Sequence, residues 1–301
     1  MSERESYPIV LAHGIARPDY LIDSIFRTLN LSLYDFSFVS DRFHYFKGIA
    51  SHLKKHGFKV HHSSVSFAAG LETRASDLKS EVNKILEKSG KKKVHIIGHS
   101  MGGLDARHMI VHERMADKVA SLTTIGTPHL GTPVADVALE QGVDSLIGRF
   151  KAFLNLEGIR NVTISACREW NTETEAEEAA NDVFYQTYSS SKDEKHVFLP
   201  FQISWKIIRD REGPNDGLVS VKSQRWKKKL SSGNDKGVLK TITQHDFPIN
   251  ADHLDQIGWW NLNEIHKAGW WNLKALREKN KHEDIIRDVY LGIAESVSKI
   301  Y

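Results

Sequence analysis

A serine between two glycines is the first feature of the sequence that could do chemistry. In the stretch HIIGHSMGGLDARHMI, residues 95–110, Gly98 and Gly102 lie two positions before and after Ser100. The apolar residues before this turn predict a buried strand, and the residues after it have the spacing of a helix. In that context a G-x-S-x-G turn is typical of a serine nucleophile on a strained strand-to-helix elbow, where glycine avoids Cβ clashes. An ordinary turn is the alternative interpretation.

Two backbone N–H groups are candidates for stabilising an oxyanion next to Ser100. The helix predicted after Ser100 directs its free N–H groups and its dipole toward this point, and we expect Met101 to contribute one N–H. The second N–H must come from a loop that follows another strand. The run IVLAHGI ends in His13, Gly14 and Ile15, and we expect Ile15 to be that donor. A plain turn at the end of the strand is the alternative for His13 and Gly14.

A serine hydroxyl needs a base, which is usually a histidine oriented by a carboxylate. The chain has 16 histidines, so their presence alone selects none of them. The chain order serine, acid, histidine directs the search to the second half of the sequence. Asp216 lies beside a glycine in the turn-forming stretch PNDGLVS, and His253 lies in the short polar loop INADHLDQIG. His245 is the alternative base, and His266 and His282 also follow the acid.

Alternating strands and helices must position these residues. Short apolar runs in YPIVLA, FKVHHSSV, KKVHIIG and VASLTTIG predict buried strands, and stretches with helical spacing separate them. One of these helices, over residues 71–90, has an apolar stripe and ends at Gly90. The alternation predicts an α/β fold in which a mostly parallel sheet of about six strands is flanked by helices.

The second half of the chain is less regular. Residues 137–159 have the spacing of one or two amphipathic helices, which would either face the core or form a lid over a cleft. The acidic stretch 171–182 predicts a helix with a solvated face, and the basic stretch 222–237 predicts an exposed loop. A role for those lysines at a membrane surface is an alternative.

The composition is that of an ordinary globular protein. Of 301 residues, 40% are hydrophobic, and the formal net charge of +3 gives no reason to expect nucleic acid as a partner. Cys167 is the sole cysteine, so an intramolecular disulfide is excluded. The first residues contain no apolar segment long enough for a signal peptide or a transmembrane segment. We expect a cytoplasmic protein, with secretion as the alternative if a leader was removed.

Five stretches of the chain occur together, in the same order, in a known family. They are YPIVLAHGI, VHIIGHSMGGLDAR, TTIGTPHLGTPVAD, NDGLVS and DHLDQIG. With them the chain resembles the α/β-hydrolase lipases, and among these the bacterial triacylglycerol lipases of the Pseudomonas and Burkholderia kind and their mitochondrial yeast relatives. The resemblance implies one α/β-hydrolase domain over residues 1–301, with residues 134–165 contributing a lid. The site residues that it implies are Ser100 as nucleophile, Asp216 as acid, His253 as base, and Ile15 and Met101 as oxyanion donors.

Calcium is the main point at which the chain departs from that family. The bacterial lipases bind calcium near the catalytic histidine, and Asp255, two residues after His253, is similar to one of its ligands. The other ligand, an aspartate, should lie well before Asp216, but the stretch FLPFQISWKIIRDREGP offers only one aspartate, Asp210, which is too close. Because calcium takes six or more oxygen ligands, we expect its site to be absent and Asp255 to pin the loop of His253 instead. No organic cofactor is expected.

The resemblance implies a serine carboxylic-ester hydrolase that cleaves acylglycerols through an acyl-enzyme on Ser100, with an ester or lipid substrate met at a lipid–water interface. A short-chain esterase, phospholipase, thioesterase or acyltransferase would use the same three residues. A binding or scaffold protein that kept the fold without turnover is an alternative of a different class. The fold alone does not decide among these activities.

Overall fold

A parallel sheet of six strands crosses the part of the chain that the structure describes. The structure is a computed structural model, and it describes residues 6–14, 45–66, 69–140, 156–233, 237, 239–259 and 273–300. The strands of the sheet are β1 (Ile9–Ala12), β2 (Val60–His62), β3 (Val94–His99), β4 (Val119–Ile125), β5 (Phe184–Ser189) and β8 (Thr243–Asp246). Their order is β2-β1-β3-β4-β5-β8, and every neighbouring pair is parallel. The predicted α/β class and the predicted parallel sheet are confirmed.

Two further strands form a separate antiparallel hairpin, and helices connect the strands of the main sheet. The hairpin consists of β6 (Lys229–Ser231) and β7 (Leu239–Thr241). The helices are α1 (Ile49–Lys55), α2 (Leu71–Ser89), α3 (Met101–Val111), α4 (Pro133–Glu140), α5 (Leu156–Asn161), α6 (Ile164–Ala180), α7 (Gln202–Glu212), α8 (Val221–Arg225) and α9 (Leu273–Val297). Short 3-10 turns lie at Ala116–Lys118, Glu194–His196, Leu199–Phe201 and Asp255–Ile257.

The central strands are apolar because helices cover both faces of the sheet. Every residue of β1, β3 and β4 is buried, as expected for parallel strands inside an α/β domain. Val10 and Ile96 belong to the core formed with α2 and α3, whereas Ile9 and Ile97 belong to the core formed with α1 and α9. Alternate side chains of one strand therefore serve opposite layers.

Helix α2 shows how a local pattern fixes an element. Leu78, Val82 and Ile85 are buried along one stripe, as the spacing predicts. The helix ends at Gly90, which has a φ of 65° and donates its N–H to the carbonyl oxygen of Leu86. This left-handed conformation favours glycine, because it has no Cβ.

The prediction of an exposed loop over 222–237 is wrong for most of its described residues. Residues up to Arg225 complete α8, and β6 begins at Lys229. Between them Trp226 is buried, because its ring lies 3.7 Å from the guanidinium carbon of Arg107 in the interior. The solvated face predicted for 171–182 also has an exception, since Glu178 is fully buried in an ion pair with Arg107 at 2.7 Å.

The predicted lid is only partly described. Its first residues form α4, where Val134 and Val137 are buried, and its last residues include α5. Residues 141–155, its centre, lie outside the described residues, so the lid stays a prediction. Nearby in α6, Cys167 is buried, and its thiol points to the carbonyl oxygens of Pro128 and Asn161.

Candidate active site

Ser100 lies on a sharp turn between β3 and α3. It has a φ of 56° and a ψ of −131°, and a positive φ is uncommon for a residue other than glycine. Such a conformation is strained for a side chain with a Cβ and persists only where the surrounding structure enforces it. The turn presents Ser100 at the carboxyl edge of the sheet and at the N-terminus of α3.

Two glycines allow this turn to pack closely. A Cβ atom on Gly98 would lie 2.8 Å from the Cα atom of Gly103, so β3 and α3 approach each other through bare backbone. A Cβ atom on Gly102 would collide with the carbonyl oxygen of Ala12 at the end of β1. Gly98 therefore lets β3 and α3 approach each other, and Gly102 lets the Ser100 turn approach the end of β1.

The oxyanion side of the site is described in part. Met101 is the first residue of α3, and a helix provides no internal acceptor for its first N–H groups. Gly14, at the end of β1, lies so close to Ser100 that a Cβ atom on it would be 2.9 Å from the serine Cβ atom. Ile15, the predicted second donor, lies outside the described residues, so its role stays a prediction.

Asp216 and His253 are joined directly. Asp216 Oδ2 accepts a hydrogen bond from His253 Nδ1 at 2.8 Å, and the backbone N–H of His253 donates to the backbone oxygen of Asp216 at 2.9 Å. The other carboxylate oxygen, Oδ1, accepts from the N–H groups of Leu218 and Val219 at 3.0 and 2.8 Å. A carboxylate held in this way orients the imidazole and stabilises its protonated form.

The structure places the ring of His253 beside the nucleophile turn. Its centroid lies 4.5 Å from that of His99, the residue before Ser100. His245, the alternative base, lies in β8 and stacks on Tyr188 with centroids 4.6 Å apart. The structure thus brings His253, and not His245, to Asp216.

Gln256 is a site residue that the sequence analysis missed. Its amide nitrogen donates to Asp216 Oδ2 at 2.9 Å and to Ser190 Oγ at 2.8 Å, and its amide oxygen accepts from His99 Nε2 at 3.0 Å. His99 Nδ1 in turn accepts from the Tyr45 hydroxyl at 2.7 Å. Burial lowers the pKa of His99 well below its ordinary value, so this ring is neutral and its tautomer follows from its two partners.

Arg74 is a second missed residue, and it fixes the end of β1. Its guanidinium pairs with Asp105 at 2.6 Å and donates to the backbone oxygen of His13 at 2.9 Å. Arg74 and Asp105 are both buried. The backbone that leads into the predicted oxyanion loop is thereby tied to α2 and α3.

Asp255 makes its contacts with protein groups. Its Oδ2 atom lies 2.6 Å from Lys192 Nζ and accepts the backbone N–H of Asp252 at 2.8 Å. Burial, and after it the neighbouring charge of Asp255, raise the pKa of Asp252. Burial also raises the pKa of Asp255, while Lys192 opposes that change. Within the described residues, no three histidine, cysteine or acidic side chains converge as a metal site would require.

Only part of this arrangement has a signal in the sequence. Gln256 lies inside the stretch DHLDQIG, three residues after His253, so its proximity to the base could have been inferred. Arg74 and Lys192 look like ordinary charged residues in the sequence. Chemically, a serine on an elbow, a paired histidine and carboxylate, and free N–H groups at a helix start suit acyl transfer.

Comparisons with known proteins agree with this geometry. Triacylglycerol lipase 2 of Saccharomyces cerevisiae is 29% identical over 97% of this chain and 91% of the yeast protein. The triacylglycerol lipase of Vibrio cholerae is 28% identical over 83% of this chain and 79% of that protein. The resemblance to α/β-hydrolase lipases inferred from the five stretches is confirmed.

Solved structures share the fold. The crystal structure of Staphylococcus hyicus lipase covers 100% of this chain and 98% of its own, with a TM-score of 0.60 and 17% identity. That of mature Bacillus licheniformis lipase BlEst2 covers 84% of this chain and 87% of its own, with a TM-score of 0.61 and 17% identity. The sequence model described as alpha/beta hydrolase fold matches residues 7–204, more than half of the 301 residues. The chain therefore belongs to the alpha/beta hydrolase fold family.

Proposed function

We propose that the protein is a serine carboxylic-ester hydrolase, with Ser100 as nucleophile, His253 as base and Asp216 as acid. The observation that carries this proposal is the hydrogen bond of 2.8 Å between buried Asp216 and His253, next to the strained turn of Ser100. In a serine hydrolase, a carboxylate orients the histidine base, and the nucleophilic serine lies on a strained elbow. Both features occur together here, and a histidine with a purely structural role would require neither.

The proposed reaction proceeds in two steps. In the first step His253 Nε2 takes the Ser100 hydroxyl proton while the serine oxygen attacks the ester carbonyl carbon. The imidazolium, stabilised by Asp216, then gives the proton to the departing alkoxide, which leaves as the alcohol. In the second step water attacks the acyl-enzyme, with His253 again as base, and releases the carboxylic acid and free Ser100. The Met101 N–H, and in our proposal that of Ile15, stabilise the oxyanion formed in each step.

Acylglycerols are the proposed substrates. The yeast and Vibrio relatives are both named triacylglycerol lipases, and both align over most of this chain. The chain also presents three exposed apolar side chains, which are Leu139 on α4, Leu199 in the 3-10 turn before α7 and Ile203 on α7, and the two helices pack on each other. Phe201, in the turn before α7, lies against Gly217, so this apolar surface adjoins the acid loop.

We propose that this surface meets a lipid–water interface.

No helix within the described ranges is long and apolar enough to cross a membrane. The proposed chemistry uses side-chain and backbone groups alone and needs no organic cofactor. The cytoplasmic location remains a proposal from the sequence.

Hydrolysis of esters by wild type and Ser100→Ala tests the proposed function. p-Nitrophenyl esters from acetate to palmitate, a triacylglycerol emulsion, a phospholipid and an acyl thioester would serve as substrates. We expect Ser100→Ala to lose about three orders of magnitude or more in kcat, because the nucleophile cannot be replaced by its neighbours. The wild type should prefer the emulsion to the phospholipid and the thioester.

Ser80→Ala is the matched control, because Ser80 is an exposed serine on α2 and should leave kcat unchanged. Labelling by a fluorophosphonate probe should map to Ser100 and disappear in Ser100→Ala. Turnover that survives Ser100→Ala would refute the mechanism, and preference for the phospholipid or the thioester would replace the proposed substrate class.

A further inference from the structure

Two buried carboxylates hold the turn that carries His253. Asp252 Oδ1 accepts the backbone N–H groups of Leu254 and Asp255, each at 3.0 Å, and its Oδ2 accepts that of Phe198 at 3.0 Å. Asp255 Oδ2 accepts the backbone N–H of Asp252 at 2.8 Å. Both side chains are fully or almost fully removed from solvent. The side chains of Asp252 and Asp255, which lie before and after His253 in the sequence, therefore close the turn from 252 to 255.

Lys192 supplies the positive charge between them. Its Nζ atom lies 2.6 Å from Asp255 Oδ2 and 3.6 Å from Asp252 Oδ2, and only 11% of its side chain is exposed. Its backbone is fixed as well, since its N–H donates to Asn215 and its carbonyl oxygen accepts from the indole of Trp205. The ammonium thus approaches from a segment anchored next to the loop of Asp216.

We propose that Lys192 is an internal cation that positions the turn of the catalytic histidine and does the work for which a bound divalent cation would otherwise be needed. Lys192 is a positioning residue, since it acts on His253 through Asp252 and Asp255. Two buried carboxylates three residues apart repel each other, and an unpaired buried charge is strongly unfavourable. Without the ammonium, the turn would open to let water reach the carboxylates, and the imidazole would move from its place beside Ser100.

The donor set around Asp255 does not fit calcium while Lys192 is present. Calcium takes six to eight oxygen ligands. Asp255 Oδ2 is already engaged by Lys192 and by the Asp252 N–H, and both oxygens of Asp252 accept backbone N–H groups. The remaining oxygen, Asp255 Oδ1, faces His282 Nε2 at 3.5 Å. An ammonium and a divalent cation would occupy the same position beside Asp255 and would repel each other.

Three substitutions separate the charge of Lys192 from its volume. Lys192→Met removes the charge and keeps most of the volume, Lys192→Arg keeps the charge, and Lys192→Ala leaves room for an added cation. This design rests on the proposed function for its kcat readout. The thermal unfolding midpoint of the full chain provides a second readout that needs no activity.

We expect Lys192→Met to lower kcat by about 100-fold with little change in KM, because displacement of a catalytic group by about 1 Å has an effect of that size. Lys192→Arg should keep most of the wild-type kcat. In Lys192→Ala, methylammonium or CaCl₂ should restore part of the kcat and raise the unfolding midpoint, whereas tetramethylammonium should do neither. Wild type should respond to neither CaCl₂ nor EDTA.

Lys206→Met is the matched control, because Lys206 pairs with Glu194 in an exposed ion pair at 3.1 Å and should be dispensable. Three results would overturn the inference: wild-type kcat and midpoint in Lys192→Met, no recovery of the midpoint of Lys192→Ala with any cation, or loss of wild-type activity in EDTA. If the wild type hydrolyses no ester, the proposed function fails, and the cation response of the midpoint still decides the role of Lys192.

Discussion

Gln256 connects Asp216, the proposed acid, to His99, which precedes the proposed nucleophile Ser100. The amide nitrogen of Gln256 and Nδ1 of His253 share Asp216 Oδ2 as acceptor. The amide oxygen of Gln256 accepts from His99, so one side chain fixes both the carboxylate and the start of the Ser100 turn. A donor on a carboxylate disperses its negative charge and reduces the attraction that the neighbouring imidazolium experiences.

We expect Gln256→Met to lower kcat by about tenfold or more, since a hydrogen bond to a charged group is worth about 1.5–3 kcal/mol. KM should change little, because Gln256 is buried behind Asp216. Steady-state hydrolysis of a soluble ester would measure kcat and KM separately.

Ser190→Ala controls for general damage, because Ser190 accepts from the same amide and does not touch Asp216. It should keep most of the wild-type kcat. A wild-type kcat in Gln256→Met would mean that Gln256 serves packing alone.

At the scale of elements, the end of β1 depends on an ion pair between α2 and α3. Arg74 of α2 holds Asp105 of α3, and the same guanidinium donates to the backbone oxygen of His13. A guanidinium that pairs with a carboxylate through two N–H groups has further N–H groups that can bind the backbone oxygen of His13. A lysine ammonium does not have this planar geometry. The pair thus links two helices to the strand end that precedes the predicted oxyanion loop.

Removing Arg74 alone should destabilise the protein by about 3–5 kcal/mol, because Asp105 would remain buried without a partner. The double variant Arg74→Met, Asp105→Leu should recover most of that stability, since it leaves no buried charge. Its kcat should still be lower than that of wild type by about tenfold, because His13 has lost its donor and the strand end can move.

Urea unfolding and ester hydrolysis, measured on the same preparations, separate the two effects. Lys79→Met is the control, because Lys79 of α2 forms a partly exposed pair at 2.8 Å with Glu113, which lies in the turn after α3. Wild-type kcat in the double variant would show that Arg74 contributes to stability and not to the position of β1.

The elements themselves follow from local pattern, and the departures have a physical cause. The stripe of α2, the stop at Gly90 and the buried strands are encoded by neighbours within a few residues. The stretch 222–237 looked exposed because its lysines dominate its composition. Its fold is decided by Trp226, which packs on Arg107, more than 100 positions earlier in the chain. A pattern taken from one segment does not contain that partner.

For the whole molecule, buried histidines make stability depend on pH. Burial lowers the pKa of His95 to about 4, and it lowers those of His99 and His129 well below the ordinary value. In the unfolded chain a histidine has a pKa of about 6.5. Between these values the unfolded chain binds protons that the folded protein does not. The stability that these histidines contribute is therefore fully present above pH 6.5 and is lost as the pH falls toward 4.

We expect these histidines to lower the free energy of unfolding between pH 6.5 and pH 4, each by about 1 kcal/mol per pH unit, while the raised pKa values of Asp105, Asp252 and Asp255 act in the opposite direction. His95→Gln should reduce this slope by the share of one histidine, and its amide can still bond with Ser121, which lies 2.8 Å from His95 Nδ1. Urea unfolding at intervals of half a pH unit would measure both slopes.

Ser80→Ala, a substitution of an exposed residue on α2 that does not titrate in this range, should keep the wild-type slope. Equal slopes in wild type and His95→Gln would show that His95 is protonated while buried.

The whole site is less predictable than its motifs. Glycines and turn-forming residues next to them in the sequence make Ser100, Asp216 and His253 predictable as site residues. Arg74 and Lys192 act across 31 and 63 positions of the chain, on Asp105 and Asp255. Which of many charged residues on a helix or loop turns inward is decided by packing, so their roles required the assembled structure.

The lone cysteine has a practical consequence. Cys167 is 1% exposed, and burial raises its pKa to about 12. The thiolate is the reactive form, so maleimides and other alkylating agents should leave the folded protein unmodified. Two cysteines introduced at exposed positions would then be the attachment points for a pair of fluorophores or spin labels. Distances measured between such labels could follow motion around the site in an otherwise natural sequence.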